Sequence, residues 1–253
     1  MALEIQNHEV FKRSPIKEAV VNFAVLPTVE FYKLSLIEDI GKSFFDKYPI
    51  KKTIKVFRHN FDFDQEGTNS TSSEESIIGY QFWSSDEKEL LSCRLDGFSY
   101  HKLSPYNNWV DVLDSSIEGW RVYKEVLDID SISALTVRNI NLIEIPKKEF
   151  ELDEYFLLYP SLTEEFEQKI EHFSNNMIVG FPEFNAKCRV VFNSLPLQEN
   201  SNSSFVLDID AFRNIEKTCL SVEQIGNILT GLNKIKDKLF FGSITGNTRE
   251  LFR

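Results

Sequence analysis

Apolar side chains recur along the chain at two periods, every second residue in some segments and every third or fourth in others, which predict strands and helices respectively. In the first half, one helix is predicted over 28–48, with Thr28 as its N-cap, and a second over 107–127. Residues 65–76 lack aromatic and aliphatic side chains and are expected to form a mobile hairpin loop. Strands are predicted over 18–26, 53–63, 77–83 and 90–103.

The second half shows a similar succession of patterns. Capping-box sequences at 161–164 and 221–224 predict helices over 162–173 and 221–240. In the strand predicted over 132–145, the apolar alternation slips by one residue, which predicts a β-bulge at Arg138-Asn139. The other strands of this half are predicted over 176–182, 187–194 and 204–210.

The C-terminal tail after the last helix is amphipathic and too short to be a stable helix alone. We expect Leu251 and Phe252 to dock onto the body of the protein and Arg249 to pair with an acidic surface residue. The alternative is a frayed terminus.

Each half thus has the order strand, helix, three strands, helix, although the two halves share no residue-level identity. This order predicts an α+β fold with two similar halves, residues 1–130 and 131–253, each an antiparallel sheet backed by helices. We expect the halves to pack as one compact unit. Two separable domains with a boundary near 146–160 are the alternative.

Composition narrows the class of protein. The chain has 253 residues, with 28 Lys and Arg against 39 Asp and Glu, so its formal net charge is −11. Nucleic-acid binding is therefore not expected, because it depends on basic residues that neutralise phosphates. The widely spaced Cys93, Cys188 and Cys219 form no CxxC pair and fit a reducing cytoplasm. The sequence shows no signal peptide or transmembrane stretch, so we expect a cytoplasmic protein without a membrane partner.

Motifs of the common enzyme and cofactor classes are absent from the sequence. There is no HExxH, EF-hand loop, P-loop, GxGxxG or GxSxG pattern. We therefore assign no catalytic residue, no metal ligand and no cofactor from motifs, and the sequence favours a protein that is not an enzyme.

A few residues could still carry chemistry. Asp62/Asp64 and Asp208/Asp210 each place two carboxylates on one strand face, about 7 Å apart, where they could share a divalent cation. A solvated strand face is the alternative for both pairs. His101 could act as a general base, or it could be a packed strand histidine.

Five stretches of the chain are distinctive when taken together: Ser14–Val20, Ser104–Tyr106 with Trp109, Arg138–Asn141, Leu207–Asp210 with Phe212, and Ile244-Thr245 with Arg249–Phe252. In this order they resemble a sporadically distributed family of bacterial proteins of about this length, for which no function is known. The resemblance implies no activity, cofactor or site residue. The patchy occurrence of the family implies an accessory role, for instance in bacterial defence or toxin neutralisation.

Three hypotheses of function follow. The first is a non-catalytic interaction protein that binds another protein through an uncovered sheet face or a sheet edge. The second is a metal-assisted hydrolase that uses Asp62/Asp64 or Asp208/Asp210. The third is a protein that binds a small apolar ligand between helix and sheet, which the 22 Phe residues favour.

Overall fold

The chain is described here by a computed structural model. The described residues are 11–26, 33–63, 69–129, 131–147, 149–163, 165–166, 168, 170–196 and 202–253. The strands are β1 (Ile16–Ala24), β2 (Ile50–Phe63), β3 (Asn69–Trp83), β4 (Glu89–Arg94), β5 (Gly97–Leu103), β6 (Ile132–Ile145), β7 (Ser174–Phe181), β8 (Ala186–Ser194) and β9 (Ser203–Thr218). The helices are α1 (Lys33–Ser43), α2 (Trp109–Leu127), α3 (Val222–Ser243) and α4 (Gly246–Glu250).

All nine strands belong to one antiparallel sheet, in the order β2-β3-β4-β5-β1-β6-β9-β8-β7. The first strands of the two halves, β1 and β6, pair with each other at its centre, where Val21 lies opposite Val137 and Phe23 opposite Leu135. The predicted α+β fold with helix-backed antiparallel strands is confirmed. The expectation of two sheets is wrong, because β1 and β6 use their remaining edges to join the halves.

The long helices cover one face of this sheet. α1 and α2 pack over the N-terminal strands, and α3 packs over β6 and β9. The ring of Phe23 stacks on that of Trp120 in α2 with 4.9 Å between centroids. Ser221 and Gln224 form the predicted capping box of α3. None of the helices in the described part of the chain is long and apolar enough to cross a membrane.

Three predicted elements differ from the structure. The strand predicted over 90–103 is the hairpin β4–β5 with a two-residue turn at Leu95-Asp96. Gly97, which begins β5, lies so close to β1 that an added Cβ would be 2.6 Å from Phe23 O. Residues 69–76 are strand rather than loop, because backbone pairing with β2 needs no apolar side chain; 65–68 lie outside the described residues. The described residues of 162–173 contain no helix.

The predicted bulge at Arg138-Asn139 is also wrong. Buried and partly buried positions alternate without a slip from Leu135 to Ile143. The apolar pattern slips only because two buried positions hold Asn139 and Asn141, which are 5% and 1% exposed. β6 therefore keeps its register with β1 and β9 through Arg138-Asn139 and carries two amides into the helix-covered core.

The C-terminal tail docks as expected at Phe252, which is buried against the ring of Phe11 with centroids 5.2 Å apart. Leu251 packs beside it against the core. Arg249 differs from the expectation: its Nη2 donates to the carbonyl oxygen of Phe241 over 3.1 Å, and its guanidinium lies over the Phe241 ring. The carbonyl oxygen and the ring of Phe241, at the end of α3, therefore take the place of the expected acidic partner of Arg249.

Candidate functional site

A cavity of about 270 Å³ lies on the helix-covered face, where the two halves of the sheet meet. We call it the central cavity. It opens between the N-terminus of α2, the second half of α3 and the strands β1, β6 and β9. Its lining residues are Phe11, Ser14, Pro15, Ile16, Tyr106, Asn107, Asn108, Trp109, Asn139, Asn141, Ile209, Asn233, Lys236, Asp237, Phe240 and Phe241.

The floor of the central cavity is polar. Asn141 donates from Nδ2 to the carbonyl oxygen of Leu207 over 2.8 Å, which fixes its side chain against β9. Asn139 Nδ2 donates to the carbonyl oxygen of Arg138 over 2.9 Å, and Asn139 Oδ1 accepts from Lys236 Nζ over 2.7 Å. Lys236 is 3% exposed. A lysine ammonium is rarely buried this deeply unless it is paired.

The polar contacts of Lys236 continue along α3 to Asp237 and Asn233. Lys236 Nζ lies 2.9 Å from Asp237 Oδ1, and Asn233 Nδ2 donates to Asp237 Oδ2 over 3.1 Å. Because the Asn233 amide is oriented by this bond, its oxygen points away from Asp237. Asn233 is 8% exposed, and its Oδ1 is a buried acceptor without a hydrogen-bond partner among the described residues.

Trp109 also lines the central cavity and has a polar atom without a partner. Its indole Nε1 is buried, and none of the described residues accepts its proton. Buried donors and acceptors in folded proteins are nearly always paired, so an unpaired one is unusual. Because Trp109 Nε1 and Asn233 Oδ1 have almost no accessible surface, neither atom faces the open space of the cavity.

Aromatic rings form the walls of the central cavity. Tyr106 and Trp109 approach from the start of α2, and Phe240 and Phe241 from the end of α3. Burial, reinforced by Asp237 and Asp111, raises the pKa of the Tyr106 hydroxyl far above its ordinary value, so this hydroxyl stays protonated. Phe11 is held in place by its contact with the docked Phe252. Rigid rings around a polar floor are typical of small-molecule sites.

Part of this site lies in sequence stretches that carry the family resemblance but have no predicted role. Four of the five stretches that carry the family resemblance contribute lining residues, among them Pro15, Trp109, Asn139 and Ile209. The α3 residues Asn233, Lys236 and Asp237 were missed. The available signal was polar side chains at positions that the helical period of α3 assigns to the buried face.

His101 lies on the opposite face of the sheet, which we call the open face. Its Nδ1 is 2.7 Å from Glu18 Oε1, and its Nε2 is 2.8 Å from Ser99 Oγ. The hydrogen bond to His101 holds the pKa of Glu18 below its ordinary value, although burial opposes this effect. The order serine, histidine, carboxylate is that of a hydrolytic triad. However, β5 pairs with strands on both sides, so the backbone N–H groups around Ser99 serve the sheet and leave no oxyanion hole.

Of the two predicted aspartate pairs, the structure describes the side chains of Asp208/Asp210, and these bind arginines. Both carboxylates of β9 bind arginines: Arg138 donates to Asp208 from Nε (2.8 Å) and Nη2 (2.5 Å), and Arg189 Nη2 donates to Asp210 over 3.1 Å. Guanidinium groups therefore occupy the positions where a cation would bind. Within the described ranges, no three His, Cys, Asp or Glu residues could hold a metal ion. The side chains of Asp62/Asp64 lie outside the described residues.

Two of the three cysteines are buried and offer no reactive thiol. Cys93 and Cys188 are buried and unpaired, and Cys219 is free and exposed. Burial raises the pKa of the Cys93 thiol, and it raises that of Cys188 to about 12. Both buried thiols therefore stay protonated and have a structural role.

Comparisons of the chain with models of known protein families, with characterised proteins and with solved structures gave no match. The central cavity is therefore interpreted from its own chemistry.

Proposed function

We propose that the chain is a non-catalytic binding protein that holds a small organic molecule in the central cavity. The observation that carries this proposal is the cavity of about 270 Å³ itself, whose aromatic walls surround a polar floor that contains the buried and paired Lys236. Apolar walls with a few fixed polar groups hold a small molecule by contact and orient it by hydrogen bonds. The proposal is closest to the third hypothesis above, with a partly polar ligand in place of an apolar one.

Binding is favoured over catalysis because the charged and phenolic groups among the described lining residues are already paired or stay protonated. Its amides are neutral, its Lys236 ammonium is held by Asn139 and Asp237, and its Tyr106 hydroxyl stays protonated. The Ser99–His101–Glu18 row lies on the open face, on the other side of the sheet. Groups that are paired in the resting protein hold and orient a ligand rather than transfer protons.

The second candidate function is the binding of a protein partner on the open face, which is the first hypothesis from the sequence. The supporting observation is a row of charged side chains across β1, β6, β9 and β8, formed by Glu18, Arg138, Asp208, Arg189 and Asp210. The family resemblance supports an accessory role in a bacterial cytoplasm, such as defence, as the setting for either candidate.

The ligand proposal is tested by saturation-transfer NMR on the full chain with four single probes: toluene, benzoate, uracil and hypoxanthine. Asn107→Trp places a large ring at the exposed rim of the central cavity and is expected to abolish transfer to any probe that binds there. Val110→Trp, at a 61% exposed position in the first turn of α2 that does not line the cavity, is the matched control.

At least one probe is expected to bind to the wild type and to Val110→Trp but not to Asn107→Trp. If no probe binds, or if every probe that binds does so equally well to Asn107→Trp, the central cavity is not a ligand site and the proposal is wrong.

A further inference from the structure

The two edge strands of the sheet differ in how they are protected. In the described sheet, β2 and β7 each have a neighbouring strand on one side only. Proteins protect such edges with charged side chains, proline or an irregular register, because an unpaired backbone edge pairs readily with another strand. β2 carries Lys51, Lys52 and Lys55, and its register with β3 shifts between Ile54 and Lys55. The β2 edge is therefore protected.

β7 shows none of these protective features. Its residues, Ser174–Phe181, include no charged side chain and no proline. They pair with β8 in a register that is unbroken along the whole strand. Ile178, near the middle of β7, is 65% exposed, which is the largest exposed fraction among the large hydrophobic residues that the structure describes. β7 is therefore an unprotected edge.

The hydrogen bonds to β8 show which backbone groups of β7 point outward. Ser194 N donates to the carbonyl oxygen of Phe173 over 3.1 Å, so these residues form a hydrogen-bonded pair just before β7 begins. In an antiparallel ladder, hydrogen-bonded pairs recur at every second residue, and the residues between them direct their N–H and C=O groups away from the partner strand. These outward-pointing residues of β7 are Ser174, Asn176, Ile178 and Gly180.

The outer side of β7 is open at all four of these residues. Each of them is exposed, including Gly180, which has only backbone atoms to expose. A Cβ added to Gly180 would meet no described atom within 4 Å. Outside the ladder with β8, no backbone group of the described chain bonds to β7. The outward N–H and C=O groups can therefore pair with a further strand.

We infer that β7 is the interface of a homodimer, in which it pairs antiparallel with β7 of a second copy. A second copy fits this edge because an uncharged strand brings no like charges together when it pairs with itself, although the chain carries a net charge of −11. Antiparallel pairing of identical strands has twofold symmetry and closes at two copies. The protected β2 edges prevent further growth of the joined sheet.

The backbone geometry also sets the register of this pairing. Outward-pointing residues must face each other, and all four of them are used on both strands only when Asn176 lies opposite Ile178 of the second copy. This register forms about eight backbone hydrogen bonds and places Met177 of the two copies opposite each other. Met177 already packs partly against the core. On the open face, the two Ile178 side chains become diagonal neighbours within reach of each other.

The first test is sedimentation velocity of the full chain at about 1–300 µM, in 0.15 M NaCl to screen the net charge. The wild type is expected to pass from monomer to dimer with a Kd of about 1–100 µM, since one pair of short strands is a small interface. Ile178→Pro removes an outward N–H but no bond to β8, and it should weaken the dimer at least about tenfold. Ile178→Thr keeps that N–H and is the matched control, which should still dimerise.

The second test is cysteine cross-linking, which reads the register. It uses a Cys219→Ser background, because Cys219 is an exposed native thiol. Met177→Cys should form an intermolecular disulfide, since the two Cα atoms would lie about 4.5 Å apart, within the range that a disulfide spans. Ile178→Cys should cross-link less, although Ile178 is the more exposed residue. Random collisions would give the opposite order.

Three results would overturn the inference. The first is a wild type that stays monomeric over the whole concentration range. The second is a dimer that Ile178→Pro does not weaken, because its interface would then lie elsewhere. The third is more efficient cross-linking through Ile178→Cys than through Met177→Cys. Because β7 does not line the central cavity, none of these results affects the test of ligand binding there.

Discussion

At the scale of single residues, the unusual feature of this protein is a polar group of side chains in the core beneath α3. Asn139, Asn141 and Lys236 occupy positions where the alternation of β6 and the period of α3 call for apolar residues. Burying an ammonium without partners is costly, so the stability of this group depends on complete pairing. The amide of Asn139 and the carboxylate of Asp237 supply that pairing.

Lys236→Met should therefore reduce the free energy of unfolding by about 1–3 kcal/mol, although it adds an apolar side chain to the core. The physical reason is that Asn139 Oδ1 and Asp237 both lose a buried donor. Urea denaturation measures the change, with the exposed Lys234→Met as a control that should stay within about 0.5 kcal/mol. A stabilised Lys236→Met variant would mean that the ion pair contributes nothing to folding.

Glu18 gives a pH-dependent prediction at the same scale. The hydrogen bond to His101 lowers its pKa in the folded state, so Glu18 contributes stability above the ordinary glutamate pKa of about 4.3 and loses it as the pH falls through the lowered value. Wild type should be more stable than Glu18→Gln at neutral pH, and the difference should shrink below about pH 4. Urea midpoints across this range measure it; a difference independent of pH would exclude the mechanism.

At the scale of elements, a glycine of α2 packs against the sheet, whereas a glycine of α3 faces open space. In α2, a Cβ added at Gly119 would lie 2.3 Å from Phe98 Cζ and 3.3 Å from Leu91 Cδ2. In α3, a Cβ added at Gly226 would meet no atom within 4 Å. Gly119 therefore serves close packing of α2 on β5, whereas Gly226 only lowers the helix propensity of α3.

The same substitution should consequently have opposite effects at the two positions. Gly226→Ala should stabilise the protein by about 0.5–1 kcal/mol through helix propensity and the entropy of the unfolded chain. Gly119→Ala should destabilise it by about 1–3 kcal/mol, because the buried Phe98 and Leu91 must move. Thermal and urea melts of both variants test this. Equal effects would show that α2 is not packed as closely as described.

At the scale of the whole molecule, the segment between the halves is itself built into the fold. Residues 146–160, the alternative domain boundary, include Phe156, which forms a β-bridge with Ile244. The carbonyl oxygen of the buried Tyr155 accepts hydrogen bonds from Thr245 N and Thr248 Oγ1. A linker between separable domains would not carry such contacts with the C-terminus.

Limited proteolysis should accordingly leave 146–160 uncut. The reason is that a protease needs a locally unfolded segment, and the buried, hydrogen-bonded Tyr155 and Phe156 hold this one in place. Mass spectrometry of the fragments identifies the sites. Two stable fragments that separate near 146–160 would establish two domains in place of one unit.

The sequence by itself determined the elements whose periodicity is local. The alternation of β1 and the apolar stripe and capping box of α3 place these elements correctly, because burial of one face imposes a period that neighbouring residues record. The helix predicted over 162–173 failed for the complementary reason. A short amphipathic segment forms a helix only if a surface receives its apolar face, and Phe173 instead packs its ring on Phe192 of β8.

Only the tertiary structure decided how the elements meet. The bulge predicted at Arg138-Asn139 was wrong because Asn139 occupies a buried position. Its polar side chain there pairs with Lys236, which lies 97 residues further along the chain. Glu18 reaches His101 across 83 residues. The pairing of β1 with β6 creates both the single sheet and the central cavity above it. Such pairings depend on contacts between distant segments, for which a local pattern of hydrophobic and polar residues carries no information.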